Sequence, residues 1–255
     1  MFLGLMFVVG ACIGSFLCCE TRRIHMKEVD NIKLGARSVC LKCKHKLSWY
    51  ENIPIISWVI LRGKCRKCGA RIGYLEIFSE IATAIIMTLV GTTIDIMNAN
   101  LFDWLIFASL FLLTGALVLL ALYDGAYGEL PTIALIVTGI FAIIYVLLNI
   151  MQEQLNIVSI VISFVILGGL YLALYLASKG KWVGDGDWIL AGIIGLALGQ
   201  PFYALMALFI SNFSACIIMW PFVHKNKNRK IYFGPFLVFG FVVALIMSKY
   251  GIISI

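Results

Sequence analysis

Charge is scarce in this chain. Aspartate, glutamate, lysine and arginine together make up 13% of its 255 residues, whereas a soluble domain carries about 25%. That deficit leaves too little polar surface to face water, so a soluble enzyme is excluded. Internal repeats and low-complexity tracts are also missing. What fills the chain is apolar: 62% hydrophobic residues and a mean hydropathy of +1.00. Disorder is excluded in turn, because it requires low hydrophobicity. The class that remains is an all-α polytopic membrane protein.

Eight apolar stretches are bounded by polar or turn residues: Phe2–Cys19, Ile77–Met97, Leu101–Tyr123, Pro131–Met151, Ile157–Ala177, Trp188–Leu198, Phe202–Val223 and Ile231–Met247. A spanning helix needs about 20 mostly apolar residues. The sixth stretch is short, ending before Gln200-Pro201, and its start can be drawn earlier, near Gly186. The first lacks a basic n-region and a small-x-small cleavage site, so it reads as a retained span rather than a signal peptide.

Lysine and arginine are absent from the loops near Asn98–Asn100, Gln152–Asn156 and Gln200–Pro201. The segment Glu20–Leu75, by contrast, holds 13 of the 20 basic residues. Lys179, Lys181, Lys225, Lys227, Arg229 and Lys230 fall in two further loops that alternation puts on that same side, leaving only Lys249 on the other. Basic residues accumulate in cytoplasmic loops. The expected arrangement is therefore about eight transmembrane helices, both termini outside, and Glu20–Leu75 cytoplasmic between helices one and two. The formal charge of +7 resides in that segment, which suits anionic lipid headgroups and not nucleic acid.

Four of eight cysteines form two pairs, Cys40-Leu-Lys-Cys43 and Cys65-Arg-Lys-Cys68, with 21 residues between them. Two such knuckles supply a closed tetrahedral four-thiolate zinc site, structural rather than catalytic. Two disulfides are the competing reading, which a reducing cytoplasm disfavours. Cys12, Cys18, Cys19 and Cys216 read as small packing residues, with acylation of Cys18 and Cys19 the alternative.

Carboxylates inside spans are expensive and point to function. Asp124 closes the third stretch in Tyr-Asp-Gly-Ala-Tyr-Gly-Glu-Leu-Pro, and Asp187 opens the sixth in Gly-Asp-Gly-Asp-Trp. Both fall at the same depth near the cytoplasmic face. Two carboxyls brought together share a proton, so one can activate water while the other protonates a carbonyl oxygen. Gly184 and Gly186 would leave room for a substrate backbone. The competing reading makes Asp185 and Asp187 helix caps and Asp124 a solvated loop residue. Asp95 and Asp103 flank an outer loop, and Glu76 and Glu80 face basic residues of the cysteine segment.

The combination resembles the prepilin peptidases (type IV leader peptidases), membrane aspartyl proteases of the Gly-x-Gly-Asp class. The matching residues are Gly14-Ser15-Phe16-Leu17, Arg37-Ser38 before Cys40, Glu51-Asn52-Ile53-Pro54-Ile55-Ile56-Ser57-Trp58, Leu61-Arg62-Gly63-Lys64-Cys65, Asp124 before a Leu-Pro turn, and Gly184-Asp185-Gly186-Asp187. The resemblance implies Asp124 and Asp187 as the catalytic dyad, with Asp185 in a variable position. It also implies that the four-cysteine knuckle stabilises a cytoplasmic domain, and that the substrates are prepilins or pseudopilins. Their short basic leader is cut after a glycine on the cytoplasmic side of a bacterial inner membrane. Many members also N-methylate the new terminus with S-adenosylmethionine. Where the family usually has Asn this chain has Cys18, and where it usually has Lys it has Ile189. The expected domains are a first helix at 1–19, the zinc domain at 20–75 and the protease core at 76–255. Glu51, Glu76, Glu80 and Glu129 are the candidates for meeting the leader's positive charge. A transporter using Asp124 and Asp187 as an ion relay is the rival reading, although the inverted repeats common in transporters are not visible.

Overall fold

A computed structural model of the chain describes residues 1–28, 38–40, 42–180, 183–225 and 232–251, with side chains described except at 221–225. Arg37, Lys181, Lys227, Arg229, Lys230 and the side chain of Lys225 lie outside the described residues. Helices dominate. Among the described residues, pairing of the β type is confined to two isolated antiparallel bridges, Val39 with Lys46 and Lys64 with Arg71. The chain divides into two compact units, Met1–Gly91 and Thr92–Ile255.

In the first unit α1 (Phe2–Glu28) packs along α3 (Tyr74–Gly91). Gly10 and Gly14 make this approach possible. A β-carbon on Gly10 would stand 2.8 Å from the Ala84 Cα, and one on Gly14 would stand 2.6 Å from the Ser79 carbonyl oxygen. Small residues four apart bring apolar helices to backbone contact where lipid supplies no hydrophobic drive. α1 runs on past Cys19 because Glu20–Glu28 contains neither glycine nor proline to stop it. Between α1 and α3 lie a 3-10 turn at Trp49–Asn52 and the short α2 (Ile56–Ile60).

The second unit opens on a turn at the end of what had read as the second apolar stretch. Asp95 accepts from the Met97 N–H at 3.2 Å and from Asn98 Nδ2 at 2.8 Å, a local bonding pattern that competes with helix. The helix before it accordingly ends at Gly91 and not at Met97. α4 (Leu101–Tyr127) starts on a reciprocal cap between Asn100 and Asp103. It ends at Gly128, whose φ of +73° only glycine adopts freely. α4 therefore extends beyond Tyr123 and carries Asp124 in its last turn.

There follow α5 (Thr132–Met151), α6 (Ile157–Phe164), a π-helical stretch at Val165–Gly169, α7 (Leu170–Ser178), α8 (Asp185–Leu198), α9 (Pro201–Lys225) and α10 (Gly234–Lys249). Six helices are long and apolar enough to cross a membrane, the run from α6 to α7 counting as one. α8, with 14 residues, and α10, with 16, are shorter. α8 is walled by α5, the α6–π stretch and α10, and Leu190, Ala191 and Ile194 on it are inaccessible. Gly168 meets Gly192, and Gly195 meets the Ser163 carbonyl, at backbone contact. α5 shows the opposite environment. Ile133, Ile136, Ile140, Ile143 and Leu147 form an exposed stripe, while Leu135, Thr138, Ala142 and Val146 are buried. A continuous apolar face at helical spacing is what hydrocarbon, not water, accommodates.

Candidate functional site: a cysteine cluster and a carboxylate pair

The two knuckles are built alike. Cys40 N–H bonds to the His45 carbonyl at 2.9 Å and Cys65 N–H to the Ala70 carbonyl at 2.7 Å. Each turn passes through a left-handed residue, Lys44 in one and Gly69 in the other. This folds the chain back so that the first cysteine of each pair receives backbone N–H groups. Those of Cys43 and Lys42 hold the Cys40 thiol down to about 6, and those of Cys68 and Lys67 lower Cys65. The sulfurs of Cys40 and Cys68 are 3.8 Å apart, those of Cys43 and Cys65 are 4.0 Å apart, and all four lie within 4.8 Å of one another. A disulfide needs about 2.0 Å, so these are free thiols. Tetrahedral zinc with bonds of about 2.3 Å separates its sulfurs by about 3.8 Å. The donor set fits that ion with no position left open for a substrate.

Three glutamates brace the same unit. Glu51 accepts from Ser48 N–H at 2.8 Å and faces His45 Nε2 at 3.5 Å; the Ser48 N–H holds its carboxyl below the usual range. Glu80, buried, accepts from Ile55 N–H at 2.6 Å. That bond pins a β-branched residue at φ +62°, a region such residues avoid. Glu76 pairs with Arg22 of α1. The motif around Glu51–Trp58 is thus tied to α3 through side chains that the sequence shows only as scattered acids.

In the second unit, Asp124 is 5% exposed. Its Oδ2 accepts from the Gly234 N–H at 2.7 Å, an orphan donor of the first turn of α10. Asp187 occupies the third position of α8, and its Oδ2 accepts from the Gly184 N–H at 3.0 Å. Each carboxylate therefore faces the N-terminus of a helix, where negative charge is favoured, and the two are near enough for their charges to interact. Asp185 is exposed. Tyr171 is buried against Phe233, receives a bond from Asn212 Nδ2 at 3.0 Å and lies within range of the Asp187 charge.

Glycines around the pair differ in what they make room for. A β-carbon on Gly186 would stand 2.6 Å from that of Leu130, so this glycine admits the α4–α5 turn. One on Gly184 would stand 3.2 Å from Asp187 Oδ2, and one on Gly234 would stand 2.9 Å from Asp124 Oδ2. Glu129 is exposed in the turn after Asp124. Sequence reasoning missed Gly234, Phe233 and Tyr171. The signal for Gly234 was Pro235 beside it, which marks a helix start; an apolar stretch drawn from Ile231 hid that boundary.

These features define a class: a multi-helix membrane protein with a four-cysteine knuckle and a buried pair of carboxylates. Residues 8–94 match the model of the bacterial peptidase A24 N-terminal domain. Three prepilin leader peptidase/N-methyltransferases are similar to the chain. The one from Aeromonas salmonicida strain A449 is 30% identical over 219 residues, 82% of this chain and 71% of that protein. The one from Pseudomonas aeruginosa is 27% identical over 264 residues, 94% of this chain and 88% of that protein. The one from Myxococcus xanthus is 40% identical over 86 residues, which span 34% of this chain but only 25% of that relative. No solved structure matches. The chain belongs to the prepilin leader peptidase/N-methyltransferase family.

Proposed function

We propose that the chain cleaves the short basic leader of prepilins or pseudopilins, using Asp124 and Asp187 as a water-activating pair. The observation that carries this is the placement of two carboxylates from different helices at the N-termini of α10 and α8, one of them buried. With one proton between them, the ionised carboxylate takes a proton from water and the oxygen attacks the scissile carbonyl carbon. The protonated partner donates to the carbonyl oxygen. Collapse of the tetrahedral intermediate breaks the C–N bond as the leaving amine takes up a proton. Gly234 N–H fixes the rotamer of Asp124, and Gly184 N–H that of Asp187, so both oxygens are oriented before substrate arrives. Gly184 and Gly186 keep that end of α8 free of side chains. Glu51, Glu76, Glu80 and Glu129 balance the positive charge of the leader.

Cys40, Cys43, Cys65 and Cys68 hold a structural zinc ion that closes the segment between α1 and α3. The zinc domain faces the cytoplasm of a bacterial cell, both termini lie outside, and the chain spans the inner membrane eight times with basic residues against lipid headgroups. The second activity moves a methyl group from the sulfonium of S-adenosylmethionine to the new N-terminal amine, which loses a proton.

The test is incubation of the purified protein in detergent with a prepilin carrying its leader. The native protein should release a shortened product, and Asp124→Asn or Asp187→Asn should reduce the rate by about 10³-fold or more, with unchanged thermal unfolding. Cleavage surviving either substitution removes the dyad, and an ion relay would release no product at all.

A further inference from the structure

A cavity of about 580 Å³ lies inside the first unit, between α1, the cysteine knuckles and the start of α3. Its wall contains three buried polar atoms with no hydrogen-bond partner: Glu51 Oε1, Glu76 Oε2 and the indole Nε1 of Trp58. A buried acceptor or donor left unpaired costs about 1–3 kcal/mol, and more when charged. One such atom is a defect; three around one cavity describe the complement of a ligand. The Glu51 side chain is only 2% accessible, and its second oxygen is already used by the Ser48 N–H. Oε1 is thus held facing a partner the protein does not itself supply. Glu76 is in the same state, with Oε1 paired to Arg22 and Oε2 unpaired.

The charge around the cavity specifies the ligand further. Three of the basic residues lining it are engaged: Arg22 with Glu76, Arg23 with Glu20, and Arg66 with the Tyr50 hydroxyl at 3.2 Å and its ring at 5.5 Å. Lys42 and Arg71 add further positive charge at the rim. A simple metal ion would therefore meet net repulsion, and a simple anion would meet two unpaired carboxylate oxygens. A group with a positive centre beside an acceptor oxygen satisfies both sets, the first on Glu51 and Glu76 and the second on the Trp58 N–H.

We propose that this cavity binds a ligand carrying a compact positive centre and an adjacent carbonyl or carboxylate oxygen. Two sources share that chemistry: S-adenosylmethionine, with its sulfonium and amino-acid groups, and the lysine- or arginine-bearing backbone of a leader peptide. The inference deepens the proposed charge recognition by Glu51 and Glu76, but it stands on the first unit alone. Loss of the Asp124–Asp187 mechanism would leave it intact.

Calorimetric titration of the full-length, zinc-loaded protein in detergent tests it with two ligand pairs. One pair is S-adenosylmethionine and its uncharged-sulfur product S-adenosylhomocysteine. The other is a lysine-containing leader peptide and the same peptide with norleucine at each lysine. At least one charged member should bind about tenfold or more tightly than its neutral counterpart and quench Trp58 fluorescence; which pair does so identifies the source. Glu51→Gln and Glu76→Gln should each erase that preference while zinc content stays at one per chain. No preference in either pair for the native protein overturns the proposal without recourse to any variant. So does a preference that survives both substitutions.

Discussion

Gly234→Ala isolates the role of the α10 N-terminus, because it adds a single methyl group beside Asp124 and removes no donor. The new β-carbon would lie 2.9 Å from Asp124 Oδ2 and 3.1 Å from the Asp124 β-carbon. Nonbonded carbon contacts settle near 3.5–4.0 Å, so the carboxylate must retreat by about half an ångström. That retreat stretches the 2.7 Å bond from Gly234 N–H. Hydrogen bonds to charged groups contribute about 1.5–3 kcal/mol, and about 1.4 kcal/mol corresponds to tenfold in rate. Losing half to all of the bond predicts a fall of about 5- to 100-fold in kcat for leader cleavage. KM should change little, because the bond orients a reacting group rather than the substrate.

Stability provides the control. Alanine is about 1 kcal/mol better than glycine within a helix, which offsets part of the contact strain, so the unfolding midpoint should stay within a few degrees. Gly184→Ala is the internal comparison. Its β-carbon would lie 3.2 Å from Asp187 Oδ2, a smaller intrusion, and kcat should fall less than about fivefold. The assay is single-turnover cleavage of a prepilin across pH 5 to 9. Wild-type kcat in Gly234→Ala would refute the reasoning, as would a larger loss in Gly184→Ala.

Cys40→Ser should lower bound zinc from one equivalent toward none by metal analysis and expose the cysteine segment to protease, since structural zinc contributes folding energy directly. Acid should act on the same site. The Cys40 thiol sits near 6, below the unfolded value of about 8.5. Its contribution is therefore complete above the unfolded value and disappears as pH falls through about 6. Zinc transfer to a chelator should consequently be faster at pH 5 than at pH 8. Gly14→Val should separate α1 from α3, because its β-carbon would press on the Ser79 carbonyl at 2.6 Å; a cost of about 1–3 kcal/mol should appear as a lower unfolding midpoint in detergent. Gly186→Ala should act through packing in the same way, displacing Leu130, and should lower the midpoint more than Gly184→Ala does.

The parts of this molecule legible in the sequence are those encoded locally. Composition and apolar runs announce a membrane bundle because hydrocarbon acts on each helix separately. The two C-x-x-C pairs announce a clustered four-thiol site because each knuckle is built by its own turn. The register of Gly10 against Ala84, the bracing of Ile55 by Glu80, and the 110-residue reach from Gly234 to Asp124 depend on which segments meet, and no periodicity records that. Glycine shows the difficulty most plainly. Beside a candidate catalytic residue it has two readings, room for a substrate or room for the chain itself, and only the atom facing it decides between them. At Gly186 that atom belongs to Leu130, so the glycine permits packing. At Gly234 it is the carboxylate of Asp124, so a residue unremarkable in sequence controls the geometry of the carboxylate proposed to activate water with Asp187.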